Sequence, residues 1–108
     1  MDEASSVRAI FDRLASRGFE PSLHATTGTC QLDIEKVGRW YVTIDAGSIS
    51  VSERPDHVDW WVSCSATDFI QIAQGKQNPI TAWLQGRVSV SGDIPTALAF
   101  ARIYPLTP

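Results

Sequence analysis

Apolar side chains in the first part of the chain recur every three or four residues, the spacing that places them on one face of a helix. Ser5 or Ser6 is expected to cap this helix by accepting hydrogen bonds from its first backbone N–H groups, and Gly18 is expected to end it. The pattern predicts an amphipathic helix that lies on other elements. Its buried stripe consists of Val7, Ile10, Phe11 and Leu14.

The spacing then changes to two, which predicts β-strands with one buried face. Ala46-Gly47 directly joins two such stretches, so these two strands are expected to form a hairpin. The predicted strands cover residues 26–34, 40–44, 48–52, 58–65 and 87–91. Their inward side chains are Cys30, Leu32, Ile34, Trp40, Val42, Ile44, Ile49, Val51, Trp60, Val62, Cys64, Val88 and Val90.

Two short helices are predicted between the last two strands. Ser65 or Thr67 is expected to cap the first of them. Asn78 is expected to cap the second, with Pro79 at its first position and Gly86 at its end. The side chains predicted to turn inward are Phe69, Ile72 and Ala73 in the first helix and Ile80, Trp83 and Leu84 in the second.

The last predicted helix, over residues 93–104, is apolar on two sides, whereas a surface helix needs one apolar face. The second side must contact more of the same core, a partner chain, or a hydrophobic ligand held between the helices and the sheet. The residues alone leave these three readings open. One side carries Ile94, Ala97, Leu98, Ala101 and Tyr104, and the other carries Phe100 and Ile103.

Composition narrows the class of protein. With 108 residues, the chain is predicted to form one domain over 1–108. Its net charge of −3, from nine basic and twelve acidic residues without a basic run, argues against binding to nucleic acid. No apolar run approaches the roughly 18 residues of a membrane span. The two cysteines, Cys30 and Cys64, are expected to be buried free thiols, which favours a reducing compartment and a cytoplasmic location.

Catalytic motifs are absent from the sequence. It contains no GxSxG elbow, HExxH pair, Walker-type phosphate loop or dinucleotide fingerprint. Asp45, Asp68 and Asp93 are each explained by a turn or a helix start, and the two histidines stand alone. The sequence therefore predicts a protein that is not an enzyme, with no catalytic residue, no cofactor and no metal.

Several short motifs occur in order within residues 38–104. They are Trp40-Tyr41-Val42-Thr43-Ile44 followed by Asp45-Ala46-Gly47, then Asp68-Phe69, Gly75-Lys76, Asn78-Pro79, Ala82, Gly86, Val88, Val90 and Gly92-Asp93. Together they resemble the sterol carrier protein 2 family of lipid-transfer domains. The resemblance implies an α/β (α+β) fold in which helices cover one face of a five-stranded, largely antiparallel sheet. It also implies an apolar tunnel that takes sterols, fatty acids, fatty acyl-CoA or phospholipids.

The resemblance further implies that the chain binds and carries such a ligand without chemistry, driven by removal of apolar surface from water. Members of the family in peroxisomes end in a Ser-Lys-Leu type of tripeptide, whereas this chain ends Leu106-Thr107-Pro108, which favours a cytoplasmic location. The residues expected to line the tunnel are Trp40, Val42, Trp60, Val62, Phe69, Ile72, Ile80, Trp83, Leu84, Val88, Val90, Leu98, Phe100 and Ala101.

Two alternative functions belong to other classes. The apolar last helix would let the chain act as a dimerisation or accessory module that docks on an enzyme, and a homodimer is included in this alternative. The chain would instead be a small enzyme if the cavity held an apolar metabolite beside a titratable group. Cys64 and Asp45 are the only nominees for that group.

Overall fold

The computed structural model describes residues 2–52, 55 and 57–104. The C-terminal tripeptide considered above lies outside the described residues. The elements in chain order are α1 (Glu3–Arg17), a 3₁₀ turn (Pro21–Leu23), β1 (Thr27–Ile34), β2 (Gly38–Asp45), β3 (Ser48–Ser52), β4 (Trp60–Cys64), α2 (Ala66–Ala73), α3 (Pro79–Leu84), β5 (Val88–Gly92) and α4 (Ile94–Ala101).

The five strands form one mixed sheet in the order β3-β2-β1-β4-β5. β1 pairs with β4 in parallel, and the other three pairings are antiparallel. The predicted α/β fold with a five-stranded, largely antiparallel sheet is therefore confirmed. The parallel pair lies at the centre, because the β2–β3 hairpin folds to one side of β1 and returns the chain to its other side.

One face of the sheet is apolar and the other is polar, as the alternation predicted. The register places Val42, Cys30 and Trp60 in one row across β2, β1 and β4, and all three are fully buried. The opposite face carries mainly serine, threonine and other polar side chains. Trp61 lies on this polar face with 41% of its surface exposed, beside Gly92 of the edge strand β5.

The first helix starts earlier than predicted. Asp2, and not Ser5 or Ser6, is its cap, because the Asp2 carboxylate accepts a hydrogen bond of 2.7 Å from the Ser5 backbone N–H. Aspartate is as good a cap as serine, and Glu3 adds a favourable negative charge at the positive end of the helix. Both serines consequently lie inside α1.

The short helices begin at the predicted residues. Ser65 caps α2 and Asn78 caps α3, where one side-chain oxygen accepts hydrogen bonds from two backbone N–H groups at 2.9 and 3.1 Å. The last helix, α4, is shorter than the predicted range of 93–104, because it ends at Ala101. Beyond Ala101 the chain forms a 3₁₀-type turn, in which the Tyr104 N–H donates a hydrogen bond to the carbonyl three residues earlier.

The β2–β3 hairpin is confirmed and turns at Ala46 and Gly47. Both residues have positive φ, 49° and 92°, as the two-residue hairpin turns with matching twist require. A side chain at Gly47 would lie 2.7 Å from the Phe19 ring and 3.1 Å from the Glu20 carbonyl. The hairpin therefore packs tightly on the segment that follows α1.

Candidate functional site

A cavity of about 80 Å³ lies between the helices and the apolar face of the sheet. Its floor comes from β1, β4 and β5, and its cover comes from α2, α3 and α4. Side chains of α4 line the cavity on the stripe that begins at Ile94, while Phe100 borders it from the same helix. The two-sided apolar character of α4 thus coincides with incompletely filled space beneath it.

Eleven of the fourteen residues expected at a tunnel wall border this cavity. They come from both the sheet and the helices, so distant parts of the sequence are brought together. These residues are Trp60, Val62, Phe69, Ile72, Ile80, Trp83, Val88, Val90, Leu98, Phe100 and Ala101.

Trp40 and Val42 do not border the cavity, contrary to expectation. Both lie on β2, which is separated from β4 by the whole width of β1. The Trp40 ring stacks on Phe11 of α1, with ring centroids 4.5 Å apart, and Val42 is fully buried in the core. They belong to the part of the sheet that α1 covers.

Leu84 is also misplaced by the sequence reading, because 76% of its surface is exposed. The fully buried residue of α3 is Ala82, which fixes the direction of its inward face. Each residue advances about 100° around a helix, so Leu84 lies well beyond Trp83 and points away from Ala82. In a helix of six residues, a spacing of three or four does not fix the face reliably.

Six residues outside the expected tunnel wall also border the cavity, and among them Cys64 had been nominated only as a titratable group. The periodicity had identified most of them as inward-facing, but Leu32 required knowledge that β1 is the neighbour of β4. Tyr104 lies just beyond the end of α4, on the apolar side that the sequence predicted for that helix. The six are Leu32, Cys64, Pro79, Ile94, Ala97 and Tyr104.

The cavity wall disfavours negative charge. None of its described residues is an acid, a base or a histidine. Burial raises the pKa of the Cys64 thiol to about 12, with a further increase from the carboxylates of Asp68 and Glu35. Burial likewise raises the pKa of the Tyr104 phenol. Both groups are therefore neutral at physiological pH, and the wall offers an uncharged surface.

The two nominees for catalysis are not together. Asp45 is exposed at the end of β2, next to the hairpin turn, and Cys64 lies at the cavity as a protonated thiol. A thiol in this state is a poor nucleophile. His57 does not stand alone as expected, because its Nε2 lies 2.8 Å from the Asp59 carboxylate, whose other oxygen accepts a 2.8 Å hydrogen bond from the Thr29 N–H.

Among residues 2–52, 55 and 57–104, no group of three or more His, Cys, Asp or Glu side chains is arranged to hold a metal ion. Within the same residues, no helix combines the length and hydrophobicity needed to cross a membrane. Both cysteines are buried and unpaired, as predicted.

Residues 8–104 match the model of the SCP-2 sterol transfer family, which spans nearly the whole sequence. The chain belongs to this family. It is 28% identical over 105 residues to hydroxysteroid dehydrogenase-like protein 2 of Xenopus laevis, a match that covers 94% of this chain and 25% of that protein. The chain thus spans about a quarter of the length of this curated relative.

Solved structures show the same fold. The sec-alkylsulfatase Pisa1 from Pseudomonas sp. superposes with a TM-score of 0.70 and 23% identity, over 85% of this chain and 15% of that one. Palmitated SCP2L2 from Aedes aegypti superposes with a TM-score of 0.67 and 22% identity, over 90% of this chain and 92% of that one. The fold therefore occurs both as most of a small protein and as a minor part of a longer enzyme.

Proposed function

We propose that this chain binds and carries a hydrophobic ligand, such as a fatty acid, a fatty acyl-CoA, a sterol or a phospholipid, without chemically changing it. The ligand would occupy the cavity between β1, β4 and β5 and the three short helices. Membership of the SCP-2 sterol transfer family supports lipid binding and transfer. The observation that carries the proposal is the uncharged, apolar wall of this cavity.

The volume of the cavity sets a condition on binding. Pockets for ligands of ordinary metabolite size measure about 300–1,000 Å³, whereas this cavity measures about 80 Å³. A long-chain lipid must therefore push parts of the wall outward. The short helices α3 and α4 are suited to this movement, because helices of six and eight residues are held by their contacts and not by intrinsic stability.

Binding would be driven by the apolar surface that the ligand removes from water, at roughly 25 cal/mol per Å². Few directional contacts are available to the ligand. We therefore expect lipids with similar hydrocarbon chains to bind with similar affinity. The free thiols fit a reducing, cytoplasmic setting, which we include in the proposal. The enzymatic activities named for longer relatives would then belong to their other parts.

The proposal is tested by titrating palmitate while recording tryptophan emission. Of the four tryptophans, Trp60 and Trp83 border the cavity, while Trp40 and Trp61 do not. We expect the variant that carries both Trp40→Phe and Trp61→Phe to retain the full change in emission of the two cavity tryptophans. The proposal would be contradicted if saturating palmitate left the tryptophan emission unchanged in both this variant and the parent protein.

Native mass spectrometry separates the proposal from the docking alternative. A protein that carries lipid is expected to retain fatty acid after gentle purification. A dimer without any bound ligand would instead favour a dimerisation or accessory module that uses α4 as its contact.

A further inference from the structure

Two hydrogen-bond donors at the cavity have no partner. The indole Nε1 of Trp60 and the hydroxyl of Tyr104 are both buried, and neither makes a hydrogen bond within the described part of the chain. Both residues border the cavity. Buried polar groups in folded proteins are nearly always paired, so two orphan donors at one apolar cavity require an explanation.

The Trp60 side chain is completely buried, and its orientation can be deduced from Gly28. A Cβ placed on Gly28 would lie 3.0 Å from Cζ3 of the Trp60 ring. Nε1 is on the opposite side of the indole from Cζ3, so it points away from this contact with β1. The orphan N–H group is therefore not directed at the Gly28 backbone.

Tyr104 brings the second donor to the same wall. The residue is half-buried as a whole, but its hydroxyl oxygen is buried. Its ring meets Phe100 edge-on at a centroid distance of 5.6 Å, and the Phe100 ring lies 6.0 Å from that of Trp60. The two donor residues thus flank one phenylalanine that itself borders the cavity.

We infer that the ligand carries an uncharged oxygen, as a hydroxyl, keto or ester group, at the end that enters the cavity, where it accepts hydrogen bonds from Trp60 and Tyr104. The inference rests on the proposed function and makes it more specific. Indole N–H groups only donate, and a phenol donates readily, so an acceptor is the complementary group. The oxygen would satisfy donors that the protein leaves unpaired.

A negatively charged head group fits this part of the wall poorly. No lysine, arginine or histidine borders the cavity among the described residues, so an ionised carboxylate would be buried without a counter-charge. Burial also raises the pKa of the Tyr104 phenol and of the Cys64 thiol, because the charged form of each group would lose its hydration at this wall. A fatty acid would consequently enter with its methyl end, whereas an alcohol or ketone would enter with its oxygen.

The test compares hexane, 1-hexanol and hexanoate, which are short enough to require little expansion of the cavity. Dissociation constants are measured by two-dimensional NMR titration of the isotope-labelled protein. In an apolar cavity without polar partners, the alcohol binds about 100-fold or more weakly than the alkane, because its hydroxyl loses water. With the two donors present, we expect 1-hexanol to bind at least as tightly as hexane, and hexanoate to bind most weakly of the three.

Conservative variants assign the effect to the two donors. Tyr104→Phe and Trp60→Phe are each expected to weaken the binding of 1-hexanol about fivefold relative to the binding of hexane. This is the effect of losing one ordinary hydrogen bond. Trp61→Phe is the matched control, because it makes the same change at a tryptophan that does not border the cavity, and it should leave the ratio of the two dissociation constants unchanged. Tyr104→Phe should also leave the thermal midpoint of the ligand-free protein unchanged or raised, since the lost hydroxyl has no partner.

The possible failures are distinguishable. If none of the three probes binds, the proposed function fails together with the inference. If hexane binds and 1-hexanol binds about 100-fold more weakly, the inference fails and the proposed function stands. The same conclusion holds if Tyr104→Phe and Trp60→Phe leave the ratio of the 1-hexanol and hexane dissociation constants unchanged. A lower thermal midpoint of ligand-free Tyr104→Phe would also overturn it, because the hydroxyl would then have a structural partner.

Discussion

The helical layer covers the two sides of the sheet differently. Over β2 and β3, the 15-residue α1 leaves a filled core, in which the Phe11 ring is stacked between Trp40 at 4.5 Å and Phe69 at 5.1 Å. Over β4 and β5, α3 and α4 leave the cavity. The same apolar sheet face therefore supports a core of closely packed rings at one side and an incompletely filled cavity at the other.

Helix length and side-chain size account for this difference. The long helix presents four fully or nearly fully buried residues over successive turns, among them Val7 and Leu14 with no exposed surface. The short helices each complete about two turns, and the cavity wall includes small residues such as Ala97 and Ala101. Fully buried side chains thus follow one another under α1, whereas unfilled space is left where the helices are short.

The largest expected effect is the loss of the aromatic stack. Phe11→Ala is expected to lower the free energy of unfolding by about 3–5 kcal/mol, because it removes a buried ring that is stacked between two others and leaves a void there. Leu98→Ala, on the cavity side, should cost about 2 kcal/mol, the lower end of the range for such changes, because Leu98 is half-buried and borders existing space. Urea unfolding measures both values. Equal losses would contradict the contrast between the two sides.

Filling the cavity should have a smaller effect on stability and a clear effect on binding. Ala101→Leu adds three carbon atoms next to the cavity and is expected to raise the free energy of unfolding by about 0.5–2 kcal/mol. It should weaken palmitate binding about tenfold or more, because it takes up space that the ligand needs.

The control for this substitution is Leu84→Ala, which changes a leucine of the same layer that is 76% exposed. It should alter stability by no more than about 0.5 kcal/mol and leave the affinity unchanged. Denaturant unfolding and palmitate titration measure the two quantities. Palmitate binding by Ala101→Leu with the affinity of the parent protein would place the ligand elsewhere.

The smallest expected effect concerns the two thiols. Burial raises the pKa of both, so alkylation of the native protein at pH 8 should be slow for each. Cys64 borders the cavity and Cys30 does not. Saturating palmitate should therefore slow the alkylation of Cys64 about threefold or more beyond any change at Cys30, as followed by mass spectrometry of peptides. Equal slowing of both thiols would mean that the ligand acts only through overall stability.

Local structure was largely predictable from the sequence because it depends on neighbouring residues. Asn78 and Ser65 cap helices with their own side chains, and the Ala46-Gly47 turn follows from its length and position. The start of α1 was misjudged because Asp2 and the serines are equally suitable caps, so the choice depends on where the helix finally packs.

The candidate site was predictable only in part, because it depends on the order of strands. Alternation shows that Trp40, Val42 and Leu32 face inward, but it does not show which helices cover each strand. The parallel pairing of β1 with β4 moves Leu32 to the cavity and keeps Trp40 away from it. The unpaired donors of Trp60 and Tyr104 could not be predicted from the sequence either, because hydrogen-bond partners are defined only once the chain has folded.

The central parallel pair has a consequence for how the chain assembles. Strands β1 and β4 are separated in sequence by the β2–β3 hairpin, so closing their ladder costs more chain entropy than forming the local hairpin. The N-terminal meander is built from near neighbours in sequence and is expected to organise first. The part of the chain that borders the cavity is then expected to dock last and to open most readily, so that opening the cavity would partly reverse the final folding step.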